Sequence, residues 1–253
     1  ALPISGNPWE GHETMANQFE RGTVVQGRTA DSAQIDEGLR AHMLRVYNYM
    51  TTGLALTGII AYLVAGTPAL ANAILGTPLF WVLIIAQLGA VFYLGARIHK
   101  MSFASAQTVF WLYAGLNGLT FAIYFQIYTG ESIARVFFIT AAMFAFMSLY
   151  GYTTKRDLTR LGSFLSMGVF GILIAMVVNI FLQSPMIYFA VSVIGVIVFT
   201  GLTAYDTQKI KNMYYEGDSS ENAGKKAIMG ALTLYLDFIL LFVMLLRLMG
   251  NQR

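Results

Sequence analysis

Seven stretches of about twenty mostly apolar residues follow one another along this chain, and that pattern has no place in a soluble fold. They run over residues 46–66, 78–95, 103–128, 132–152, 162–183, 185–205 and 227–248. A helix needs about 20 apolar residues to cross the roughly 30 Å hydrocarbon core of a bilayer. The alternating pattern of a barrel is absent, so helices, which satisfy every backbone polar group internally, are the spanning structure. Composition agrees: 57% of the 253 residues are hydrophobic and 11% are charged, against about 25% charged in a soluble domain. The expectation is an all-α, polytopic membrane protein with seven transmembrane helices. The fifth and sixth runs are nearly fused, with Ser184 and Pro185 marking the turn; proline suits the first turn of a new helix.

A net charge of +3 would suit nucleic acid, but the positions of the charges argue for a lipid bilayer as the partner. Loop 67–77 is uncharged, 129–132 carries only Glu131, and the 183–185 turn carries no charge. The alternate loops carry Arg97 and Lys100, then Lys155, Arg156 and Arg160, then Lys209, Lys211, Lys225 and Lys226. Basic loops stay on the cytoplasmic side, so the N-terminus is expected inside and the C-terminus outside. Residues 1–45 read as a polar, partly disordered cytoplasmic segment without the apolar core of a signal peptide. Within it, 33–45 places Ile35, Leu39 and Met43 on one helical stripe, expected to lie along the inner interface. Residues 46–253 read as one domain.

Small residues let membrane helices approach closely, and Ala114, Gly115 and Gly118, with Gly171 and Ala175, are spaced for it. The amides Gln87, Gln107, Asn117 and Asn179 read as glue between helices. Two carboxylates are harder to absorb. Asp206 ends the sixth run and Asp237 lies well inside the seventh, in LTLYLDFILLF. A carboxylate at bilayer depth costs roughly 2.5–3.5 kcal/mol on insertion scales, and it faces the bundle interior or a watery cavity. Two carboxyls sharing a desolvated site resist ionising together, which makes the pair a candidate charge switch near physiological pH. On a simple layout Asp206 is at the inner edge and Asp237 near mid-membrane. They meet only if the last helix begins below the membrane surface or a cytoplasmic vestibule reaches in.

Other chemistries fare worse. An intramembrane aspartyl protease would use two such carboxylates, and Tyr205–Asp206 supplies half its signature; Asp237 lacks the required glycine context, and no proline follows Pro185. A serine protease needs a histidine base, and His12, His42 and His99 all fall outside the seven runs. The last run holds no lysine for retinal, and with no cysteine there is neither a thiolate zinc site nor a disulfide. The EGDSSEN stretch at 216–222 is too short for an EF-hand. The chain is not expected to be an enzyme or to hold a resident cofactor.

The strings SLYGYTTKRDL (148–158), GLTAYDTQKIK (201–211) and LTLYLDFILLFVMLLRLMG (232–250) resemble the Bax inhibitor-1 family, in particular its bacterial inner-membrane members, from about residue 40 onward. The resemblance implies seven helices with the last one central. It implies a pH-sensitive leak of cations, chiefly calcium, with paired aspartates on the last two helices as sensor. Asp206 and Asp237 occupy those positions, and they are also the expected weak, transient calcium ligands. An arginine after the second span would latch the pair in a closed state; Arg97 is the nearest match, with Lys100 as the alternative. Some members carry a glutamate where this chain has Gln87. The resemblance also brings in contact with a membrane-anchored ATP-dependent protease, so the alternative function is a non-transporting membrane regulator.

Overall fold

The computed structural model describes residues 10–253, with side chains from Ile35 onward. The expectation of partial disorder over the N-terminal segment falls largely outside those described side chains. Residues 1–41 are a unit of their own, and residues 42–253 form the bundle. The helices are α1 (Glu10–Ala65), α2 (Pro68–Leu75), α3 (Leu79–Arg97), α4 (Phe103–Ile127), α5 (Gly130–Thr153), α6 (Thr159–Leu182), α7 (Pro185–Asn212) and α8 (Ser220–Met249), with one 3₁₀ turn at Ile98–Lys100. No strand occurs among the described residues. Seven of these helices are long and apolar enough to cross a membrane.

Burial ranks them. The most apolar window of α8 is 78% buried, whereas the other six spans range from 11% to 39%. A helix apolar all round must be surrounded by protein or lipid, and α8 is surrounded by protein. It is the axis of the bundle, as expected of the last helix. The outer helices instead present large apolar side chains outward, among them Phe92, Phe138, Phe170 and Phe181; in water this would be an aggregation surface, in lipid it is the required one.

Local chemistry sets the helix ends. Ser102, Thr129, Ser184 and Ser219 each cap a helix, their hydroxyls accepting from the backbone N–H three residues on. Where the sequence suggests a plain loop, the short helix α2 forms; proline at its first turn starts it, and its Ile74 packs with Val64, Leu83 and Ala122. The α6–α7 turn passes through Gln183, which adopts a left-handed conformation at φ 48°. Of the proposed close approaches, Gly118 is one: a methyl there would come within 2.9 Å of the Thr57 carbonyl oxygen. Gly171 is a correction, since a methyl there would meet nothing within 4 Å; it lies on the outer face of α6.

The largest departure from the apolar runs is at α7 and α8. The runs end at 205 and begin at 227, yet α7 continues to Asn212 and α8 starts at Ser220, about two turns beyond in each case. Lys209 and Lys211 in the last turn of α7, and Glu221 in the first turn of α8, complement the helix dipoles, so these polar ends stay helical. His42 is a second correction. The first spanning helix is apolar enough from Ile35, so His42 lies within it rather than outside, and it is buried.

Candidate functional site

Helices α7 and α8 run antiparallel in close contact, and two glycines fix their register. A methyl on Gly230 would come within 3.0 Å of Ile210 Cγ2, and one on Gly195 within 2.8 Å of Met244 Cγ. That register puts Asp237 within about one turn of Asp206, and it makes the first two turns or so of α8 extend past the end of α7. The last helix therefore begins beyond the end of its partner.

The two aspartates do meet. The side chains of Asp206 and Asp237 lie within hydrogen-bonding reach of each other. Both are buried, at 8% and 5% exposure. Asp237 Oδ2 is shielded, and no N–H or O–H donor among the described residues reaches it. Two carboxylates this close repel when both are ionised, and a proton carried by either one lets it donate to the other. Lys209 follows one turn beyond Asp206 on α7, and its ammonium lies 5.8 Å from the centre of the Tyr205 ring.

Arg97 and Lys100 are not brought to this site. Both side chains are exposed at the end of α3 and its 3₁₀ turn. Among the described residues the ion pairs are Lys225 with Glu221, at 3.6 Å, and Lys226 with Asp218. The expected latch contact is absent from this conformation. Gln87 is also elsewhere: its Nε2 donates to the Leu116 carbonyl at 3.1 Å and to Thr120 Oγ1 at 3.0 Å, joining α3 to α4 as an amide glue. As a calcium ligand set the pair is sparse. Calcium takes six to eight oxygens, and no cluster of three acidic, histidine or cysteine side chains occurs among the described residues. Two carboxylates suit brief contact with a passing cation.

Hydroxyl networks flank the pair, and sequence reading missed them. Beside Asp206, Thr207 Oγ1 lies 2.9 Å from Ser148 Oγ, which lies 2.5 Å from Tyr47 Oη, linking α7, α5 and α1. Two residues before Asp237, the fully buried Tyr235 places its hydroxyl 2.6 Å from Thr57 Oγ1. Thr57 also reaches the Ala114 carbonyl at 2.8 Å. The Tyr113 ring packs edge-on to Tyr235 with centroids 5.6 Å apart, and its hydroxyl accepts from Asn117 Nδ2 at 3.1 Å. Hydroxyl residues give little warning in sequence, because Ser and Thr bond their own helix's carbonyls as readily as another helix. At the basic end, Gln208 ties α7 to the α5–α6 turn through Leu158 N and the Arg156 carbonyl. His42 lies near Tyr214, ring centroids 5.9 Å apart, and no described group bonds its Nε2.

Comparison with known proteins agrees with this architecture. Residues 39–253 match the family described as inhibitor of apoptosis-promoting Bax1. The inner membrane protein YbhL of Escherichia coli is 49% identical over 229 residues, covering 89% of this chain and 98% of YbhL. A protein of Rickettsia prowazekii is 48% identical over 225 residues, covering 89% and 95% respectively. A membrane protein of Streptococcus pyogenes is 33% identical over 222 residues, covering 87% and 96%. With the family matched from α1 to the last residue and relatives aligned over nearly their whole length, the chain belongs to the Bax inhibitor-1 family of membrane proteins.

Proposed function

We propose that the chain is a pH-sensitive cation leak, chiefly for calcium, of a bacterial inner membrane, with Asp206 and Asp237 as sensor and transient cation ligands. The observation that supports this reading is the contact of two buried carboxyl groups from different helices. While a proton is shared, the contact holds α7 against α8. When it is lost, like charges at contact distance repel, and the freed oxygens attract a hard cation. Flux is therefore expected to rise with pH. Arg97 and Lys100 remain candidates for a latch in another conformation. The loop charges favour a cytoplasmic N-terminus, and the inner-membrane relative supports the location. Calcium entry into dye-loaded liposomes, compared with protein-free liposomes between pH 5 and 8, tests the reading.

The family description, an inhibitor of another protein, favours a second reading: a non-transporting regulator that acts by contact, with a membrane-anchored ATP-dependent protease as one candidate partner. Such a protein binds its partner and leaves liposomes ion-tight.

A further inference from the structure

At the end of the bundle opposite the basic loops, where α6 and α8 finish and α7 begins, a cavity of about 280 Å³ is lined by Met176, Asn179, Ile180, Tyr188, Val191 and Arg247. Arg247 is its one charged lining residue. The guanidinium carbon lies 4.8 Å from the centre of the Tyr188 ring. Its Nε is shielded and meets no acceptor, and no carboxylate among the described residues pairs with it. The carbonyls at the end of α8 favour a cation here. They do not account for a donor without an acceptor beside an open cavity.

The rest of the lining is chemically one-sided. Asn179 Oδ1 already accepts from Ser184 N at 2.9 Å, which leaves its amide as a donor. Tyr188 adds a hydroxyl. A partly buried guanidinium with a shielded, unpartnered Nε, with further donors and no acid beside it, is the makeup of a site for an oxyanion, above all a phosphate. The apolar side of the cavity says where that phosphate comes from. Ile180 lines the cavity and is exposed, and Leu173, Val177 and Phe181 continue the exposed apolar surface of the same helix. The volume falls just short of the roughly 300–1,000 Å³ of pockets for drug-sized ligands, so it suits a headgroup whose acyl chains stay outside along α6.

We propose that this cavity binds the anionic phosphate headgroup of a phospholipid, with Arg247 and Asn179 as its donors. The test is native mass spectrometry of the purified full chain, titrated with phosphatidylglycerol or with diacylglycerol of the same acyl chains, which lacks the phosphate. Phosphatidylglycerol should be retained on the order of tenfold more tightly, as befits a charge-assisted hydrogen bond. Arg247→Gln should abolish the preference and Asn179→Leu should weaken it. Val191→Phe, which keeps the arginine but fills the cavity, should displace the lipid, and it decides the matter if Arg247→Gln fails to fold. Equal retention of the two lipids, or a preference that survives Val191→Phe, would overturn the proposal. So would competition by soluble glycerol phosphate at the lipid's own concentration, which would mark a site for a dissolved anion.

Discussion

Gly195 of α7 lies against Met244 of α8 so closely that a single added methyl would come within 2.8 Å of the methionine Cγ. This contact helps hold the two helices in the register that brings Asp206 to Asp237. Gly195→Leu should force them apart, at a cost of about 1–3 kcal/mol for overpacking. Because methionine is flexible, Met244→Ala in the same chain should restore part of the loss. Thermal unfolding in detergent measures both, and full additivity of the two substitutions would contradict the packing account.

The Tyr235 hydroxyl and Thr57 Oγ1, 2.6 Å apart, join the central helix to α1. Interhelical side-chain hydrogen bonds in membranes average about 0.6 kcal/mol and reach about 1.7. Tyr235→Phe should fall in that range, and a double-mutant cycle with Thr57→Val should return a coupling energy of the same size. A coupling of zero would mean that the two hydroxyls find equally good partners apart.

At the α6–α7 turn, Gln183 holds a positive φ of 48°, a conformation that disfavours a side chain and suits glycine. Gln183→Gly should raise stability by up to about 1 kcal/mol. An unchanged or lowered melting temperature would show that the Gln183 side chain contributes as much as the strain costs.

Asp157, outside the spans, accepts from Thr159 N at 2.8 Å as α6 begins. Hydrogen bonds from the Thr159 side chain and backbone hold its carboxyl below the usual range. A depressed carboxyl stabilises the fold above its ordinary range, and that contribution is lost as pH falls through the folded value. Asp157→Ala should therefore lower the melting temperature slightly at pH 7, and the gap should close in acid. A gap that persists at low pH would assign the effect to something other than the carboxylate.

The spans were legible because an apolar run of about 20 residues has few other uses, and the central position of the last helix followed the family resemblance. What the runs could not show was where the helices end. The polar strings after Tyr205 and before Ala227 read as loop, but capping and helix-dipole complementarity keep them helical, and that extension sets the level of Asp237. The two aspartates stood out because a carboxylate among apolar residues is costly. Their contact depended on register, which Gly195 and Gly230 set and no local pattern announces. Arg97 was placed near the pair by resemblance, whereas here it ends α3 with its side chain exposed. Arg247 gives no such signal in the sequence, because the cavity beside it is built from three helices.

The proposed leak rests on the shared contact of Asp206 and Asp237. Its most direct test is calcium entry into dye-loaded liposomes from pH 5 to 8 with the wild type, Asp206→Asn and Asp237→Asn. Wild-type flux should rise with pH, and both variants should show a flattened profile. Wild-type flux no greater than that of protein-free liposomes at every pH, or variants that keep the wild-type profile, would contradict it.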